Sequence, residues 1–368
     1  MPIDFNALKN QPRILFEVQL KPRMGARIQP TGFPNLGPAT YDAPNADGGT
    51  TAMLLVESAQ SMANRLESVC WDEGADEVVP ELQGLPYVRV KLAGIGDGSN
   101  TTCSLLEFHR LNSPYIMQKG KDKSRSLLHD GRWYADVVKS ELGMTAVTIK
   151  KKTEGKKGAS RKTENGSEEG EGDKDKVEGV VNLRKFAAIC LKYDPNSLIH
   201  GVFLEKIAGR LRHPRALSAF IEATGIRPAY SGGVKFDRVD PSGDTAQGYG
   251  NVIFNRSEFT AQSITAYFSL DLAQIRGYGL PAAAANLLIT LSLWKARAFL
   301  DSNMRLRTAC ELELVNSDTT LHAKRPDWFT LPPATELTDQ LRGLIEVCTK
   351  EKLFANPSVT VLTWGPKA

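Results

Sequence analysis

Three well-separated stretches of this chain alternate apolar and polar side chains with a period of two. They are Ile14, Phe16, Val18 and Leu20 around Leu15, Glu17 and Gln19; Val88, Val90 and Leu92 against Tyr87, Arg89 and Lys91; and Ile264, Ala266, Phe268, Leu270 and Leu272. Successive side chains of a strand point to opposite faces, so each stretch predicts a strand with one buried face. Shorter strands are predicted at Met53–Val56, "SLIHGVFLEKI", "LRTACELEL" and "SVTVLTW". Helical spacing separates them. From about Ser58 to Trp71, Ala59, Met62, Ala63, Leu66, Val69 and Cys70 share one face. "GRWYADVVKSELG", stopped by Gly143, "NLRKFAAICLKYD", Ala282–Leu300 and Leu337–Leu353 also read as helices. "HPRALSAFIEATG" predicts another, with Pro214 at its first position and Gly225 past its end. Strands and helices mix without regular βα alternation, which predicts an α+β fold.

Two segments break the pattern. Gly, Pro and Ser dominate Arg227–Gly250, a predicted long hairpin or arm. Lys150–Gly179 is almost free of apolar residues, lysine-rich first and then rich in Glu, Asp and Gly. Such a segment cannot offset the entropy of ordering itself and is expected to be a disordered loop insertion.

Composition excludes several function classes. The five cysteines are scattered without a C-x-x-C pair, and the five histidines are equally dispersed. This argues against a disulfide framework or a clustered metal site, and no metal or cofactor is expected. "MPIDFNALKNQP" lacks a signal-peptide pattern, and polar residues interrupt the longest uncharged run, Gly277–Trp294. A cytoplasmic protein without a membrane partner is expected. A net charge of +4 is too small to indicate nucleic acid alone, so any basic surface must be local.

Local basic surfaces do occur. "GRLRHPRA" places Arg210, Arg212, His213 and Arg215 at the start of the helix predicted from Pro214, whose unpaired N–H groups favour an anion. The alternative is surface arginines paired with Glu205 and Glu222. The loop after the first strand carries Lys21, Arg23, Arg27 and Gln29 among glycines and prolines, either a phosphate cradle or a structural connection. "EFHRLNSPYI" adds His109, Arg110, Ser113 and Tyr115, either a contact set or a strand end and turn, and "QIRGYGLP" adds Arg276 and Tyr278, either a backbone cradle or a simple loop. Tyr87, Arg89 and Lys91 would form a stacking and cationic strand face suited to single strands. The 58–71 helix is unusual in its polar side, which carries Ser58, Gln60, Ser61, Asn64, Arg65 and Ser68 instead of Glu and Lys. Small donors would let a bulky polyanion approach; the alternative is contact with another polar protein surface. No G-x-S-x-G elbow or H-E-x-x-H motif occurs. Asp237 and Asp240 are candidate metal ligands or turn formers.

"RIQPTGFPNLGPATY", "LLVESAQSMANRLESVCWD", "FHRLNSPYI", "DPNSLIHGVFL", "GRLRHPRALSAFIEA", "SGGVKFD" and "ITAYFSLDLAQIRGYGL" run in this order along the chain. Together they resemble the backbone subunit, of the RAMP superfamily, of the CRISPR Cascade surveillance complex in type I-G (formerly I-U) systems. The resemblance implies an RRM-like (ferredoxin-like) palm over 1–79, 181–226 and 256–368. It also implies a finger region over 80–180 that includes the charged insertion, and a protruding thumb hairpin over 227–255. The implied role is non-catalytic: an oligomeric scaffold in a ribonucleoprotein that polymerises along crRNA and supports guide–target DNA hybridisation in antiviral defence. Its implied partners are crRNA, the target DNA strand, neighbouring copies in a helical filament, and other Cascade subunits, including the repeat-processing and large subunits. The eighteen RNA-contact candidates are those named in the loops and helix above, without Ser68 and Ser113 and without the Tyr87 face. Two alternatives stay open: an endoribonuclease processing CRISPR RNA with His109, His213 and Tyr115 as acid–base groups, and a small-molecule enzyme using the glycine loops.

Overall fold

A computed structural model describes residues 2–33, 37–93, 100–120, 124–146, 177–178, 181–205, 207, 211–315 and 320–365. Its principal elements begin with strands β1 (Arg13–Pro22), β2 (Thr40–Pro44) and β3 (Thr50–Glu57) and helix α1 (Ala59–Ser68). Then come β4 (Tyr87–Lys91), β5 (Thr101–Cys103), β6 (Arg125–Leu127), α2 (Tyr134–Glu141), α3 (Leu183–Tyr193) and α4 (Asn196–His200). Strands β7 (Val202–Leu204), β8 (Leu211–His213), β9 (Leu217–Thr224), β10 (Arg227–Lys235), β11 (Val252–Thr260) and β12 (Ser263–Asp271) follow. The remainder is α5 (Leu272–Gly277), α6 (Ala282–Asp301), β13 (Arg305–Arg307), β14 (Cys310–Leu314), α7 (Ala334–Lys350) and β15 (Val359–Gly365).

The main sheet has seven strands in the order β13-β14-β1-β12-β9-β3-β2, every neighbouring pair antiparallel. Alternation decides its two faces. Ile14, Phe16, Val18, Leu217, Ala219, Ile221, Ile264, Ala266 and Phe268 are all buried, and α1 and α6 pack on the sheet. The residues between them face the other way and satisfy one another. Glu17 pairs with Lys324, Gln19 Nε2 donates to Thr265 Oγ1 at 3.0 Å, and the Phe220 and Tyr267 rings stack at 4.9 Å.

Helix α6 is apolar nearly all round because it is enclosed by α1, α4, α5, α7 and β12. Each fully buried leucine on it, such as Leu287, Leu288 and Leu291, contributes roughly 1.5–3 kcal/mol of transfer free energy. A second sheet, β6-β15-β4-β5, joins distant parts of the chain, with β4 and β15 parallel in the register Val359↔Tyr87 to Thr363↔Lys91. It links strands from the expected finger region to one from the expected palm.

The α+β expectation agrees with this mixed architecture and its antiparallel main sheet. Three local expectations do not. "HPRALSAFIEATG" forms no helix: 217–224 is β9, with every second residue buried. "SLIHGVFLEKI" is only partly strand, because Asn196–His200 is α4 before the short β7. Tyr87 is no exposed platform; it is buried edge-on against Trp71 at 5.9 Å.

The predicted arm is present as the hairpin of β10 and β11, paired from Arg227↔Thr260 to Lys235↔Val252. At its end Asp237 accepts backbone N–H groups of Val239, Asp240 and Gly250 at 2.8–3.2 Å, which lowers its carboxyl pKa and marks it as a turn former. Within Lys150–Gly179, only 177–178 is described, paired with 145–146; the rest of that predicted insertion lies outside the described residues. Among the described residues no helix is long and apolar enough to cross a membrane.

Candidate nucleic-acid interface

The turn after β5 is held by its own chain. Leu106 N and Glu107 N both donate to Cys103 O, and Arg110 N donates to Glu107 O at 2.9 Å. The Glu107 carboxylate accepts from Thr102 Oγ1 at 2.6 Å and from Ser113 Oγ at 2.8 Å. With Arg110 at φ +52°, the turn presents Phe108 and His109 to solvent and sends Arg110 inward.

Opposite this turn, β7 and β8 pair Val202↔His213, Phe203↔Arg212 and Leu204↔Leu211. Alternation buries the first and last pairs and puts Phe203 and Arg212 outward. Their cross-strand contact sets the guanidinium over the ring at 5.7 Å, a cation–π geometry. Gly201 enters β7 at φ +85° and ψ +151°, a region essentially restricted to glycine, and a Cβ there would lie 3.1 Å from His213 O. Turn and hairpin enclose an open groove of about 380 Å³. Among the described residues, three arginines and three histidines line it and no carboxylate does. Arg212 is exposed and Arg215 half-buried, and among the described residues neither is ion-paired.

A buried polar layer supports the groove. Glu67 on α1 receives Arg110 through Nε and Nη2, both at 2.6 Å, while Arg110 Nη1 donates to Gly201 O at 3.2 Å. Burial pushes the Glu67 carboxyl up and Arg110 opposes that shift. Arg215 Nε donates to His200 O at 3.3 Å. Lys295, fully buried on α6, donates to Asn196 Oδ1 and lies 2.9 Å from His200 Nε2. Burial lowers the His200 pKa well below the usual imidazole range, and Lys295, Arg110 and Arg215 lower it further. Burial raises the Asp194 carboxyl, with hydrogen bonds from Ser197 Oγ at 2.7 Å and Asn196 N at 3.2 Å opposing. His213 is clamped between Phe186, stacked at 4.6 Å, and Tyr278, edge-on at 5.0 Å. Burial also lowers its pKa.

The predicted site residues therefore separate into groups. His109, Arg110, Arg212, His213 and Arg215 all line the groove, although the segment after Pro214 supplies no helix N-terminus there. Arg210 lies outside the described residues. Tyr278 is buried, its hydroxyl donating to Leu198 O at 2.9 Å and its pKa pushed up to about 12 by burial. Arg276 reaches Gln11 O at 2.9 Å, and Tyr115 packs edge-on against Trp364 at 5.6 Å.

The first-loop residues lie elsewhere and are mostly engaged. Lys21 pairs with Glu313 at 3.3 Å, Arg23 with Asn303, and Arg27 with Glu258 at 2.8 Å. Gln29 Oε1 is buried without a hydrogen-bond partner among the described residues.

On α1, Ser58 caps the helix by accepting from Ser61 N at 3.3 Å. Ser61, Arg65 and Arg307 all converge on the buried Glu57 carboxylate. Gln60 and Asn64 are exposed. Arg65 and Ser68 border a second cleft of about 250 Å³ with Asn303 and Arg305.

Sequence reasoning missed Phe108, Phe203, Glu57 and Glu67. Phe108 carried a readable signal, a large apolar residue beside His109 and Arg110 in a polar turn. Glu67 and Glu57 carried none, because only the fold brings arginines to them.

A family model described as CRISPR-associated protein GSU0053 (Cas_GSU0053) matches residues 14–228, more than half of the chain. The chain belongs to this family. The matched span of this GSU0053-family chain runs from β1 to the base of the arm and contains the whole groove and α1. No curated protein matches. A chain of a solved structure titled "CRISPR RNA-guided surveillance complex, pre-nicking" is similar at 14% identity and a TM-score of 0.37, over 91% of this chain and 88% of that one.

Proposed function

We propose that this GSU0053-family protein is a non-catalytic crRNA-binding backbone subunit of a type I, specifically I-G, effector complex. In this reading it polymerises along the guide RNA in the cytoplasm, beside the other Cascade subunits, and supports pairing of guide with target DNA. Family membership supports the CRISPR role. The observation that carries the RNA-binding role is the groove, where Arg212 and Arg215, without carboxylate partners among the described residues, lie beside exposed aromatic rings. That chemistry suits a phosphate backbone with unstacked bases.

The RRM-like palm is supported by strand order. Strands β1, β9, β12 and β14, with helices after β1 and after β12, lie in the order β14-β1-β12-β9, all antiparallel. This is the order of a ferredoxin-like βαββαβ sheet. The β10–β11 arm supports the thumb, with Tyr230, Phe236, Val239 and Ile253 exposed along it. An endoribonuclease reading has less support, since His213 is clamped between two rings and Tyr115 packs on Trp364.

Binding of spacer-length RNA should weaken steeply with salt and change little when the spacer is scrambled. Strong sequence dependence at fixed salt would count against the scaffold. Defined cleavage of repeat RNA by the purified protein, lost in His213→Ala, would replace it with the nuclease.

A further inference from the structure

Phe108 is 74% exposed, although it sits in a turn fixed by five hydrogen bonds and anchored beneath by the Arg110–Glu67 pair. Backbone and polar contacts, rather than packing, hold its ring out in water. The other aromatic ring of the groove is differently employed. Phe203 lies under the Arg212 guanidinium and so props a cation. The groove thus offers the free face of a phenyl ring and, across from it, two arginines without carboxylate partners among the described residues.

Resting on the RNA-binding reading above, we propose that Phe108 is the stacking platform for one unpaired base of single-stranded RNA, whose flanking phosphates lie on Arg212 and Arg215. A base shows its face only when unstacked, so a duplex would not satisfy the platform. Every base has a π-face, so the site grips without reading sequence. The groove volume falls within the range of about 300–1,000 Å³ usual for small-ligand sites, enough for one base and its phosphate.

The test compares a short oligouridine with an abasic ribose-phosphate oligomer of equal length, both titrated into the full-length protein by fluorescence anisotropy. Phe108→Ala should weaken the oligouridine about tenfold, leave the abasic oligomer unchanged and keep the salt slope. Phe108→Trp should retain binding. Arg212→Ala should weaken both oligomers alike and flatten the slope by about one. Unchanged oligouridine binding by Phe108→Ala, or an equal loss on the abasic oligomer, overturns the platform while RNA binding stands. A wild-type protein that binds neither oligomer at low salt removes the RNA reading itself, and the platform with it.

Discussion

Two of the arginines that look most available in the sequence act inside the fold. Arg65 and Arg307 neutralise Glu57, and Arg110 neutralises Glu67; both carboxylates are at most 3% exposed. Removing one partner of a buried pair strands the other charge, at a cost of about 3–5 kcal/mol. Arg110→Ala should therefore lower urea-unfolding stability by about that amount, and a simultaneous Glu67→Leu, Arg110→Leu replacement should recover much of it. Arg110→Ala unfolding at the wild-type midpoint would show that the pair is not structural. Arg65→Ala, with Arg307 still on Glu57, should cost less, about 1–3 kcal/mol, and leave RNA affinity near wild type.

His213 gives a pH signature. Its folded pKa lies below the ordinary 6.5, so below about pH 6.5 the unfolded chain takes up a proton that the folded ring refuses. This opposes folding progressively as pH falls toward the folded value. His213→Phe should flatten the acid-side decline in melting temperature relative to wild type, and an identical decline would rule the histidine out.

At the level of elements, legibility followed the clarity of the pattern. Strands β1 and β12 and helices α1 and α3 were readable because one period dominates each, and α6 because its apolar run is too long for a strand. Strand β9 was not. Ala216, Leu217, Ala219, Phe220, Ile221 and Ala223 satisfy both periods, because Phe220 is apolar on the open face for a local reason, its stack on Tyr267. Pro214 and Gly225 then resembled helix punctuation. The same misreading suggested a helix N-terminus for anions, where the structure instead has a cross-strand Phe203–Arg212 pair and a glycine-entered hairpin. The arginines of the site were legible; what they are paired with was not, since the pairings join residues as distant as Glu67 and Arg110. Gly201 marks where this geometry is tightest. Gly201→Ala should cost about 1–3 kcal/mol from its backbone conformation, plus displacement of His213 or Arg215. Stability equal to wild type in thermal melts would show that β7 can enter another way.

Across the whole molecule, the arm is separable from the core in a way the groove is not. Nearly all ladder pairs of β10 and β11 are with each other, and Ile28↔Phe259 ties only the base. Replacing residues 234–253 with an Asn-Gly turn between Gly233 and Phe254 should leave the melting temperature within a few degrees. In the proposed scaffold it should also abolish multi-subunit assembly on RNA, read by mass photometry. Multimers of unchanged size would show that subunit contacts lie elsewhere.

The parallel pairing of β4 with β15 fixes an order of events during synthesis. Residues 87–91 leave the ribosome long before 359–365, yet their ladder in the second sheet needs that late strand. Until it arrives, β4 holds an unpaired edge, the kind of surface that invites wrong partners. Completion of the second sheet therefore waits on the synthesis of β15. A stop codon before Val359 should send the protein to the insoluble fraction, even though the groove, the arm and the main sheet are all encoded upstream.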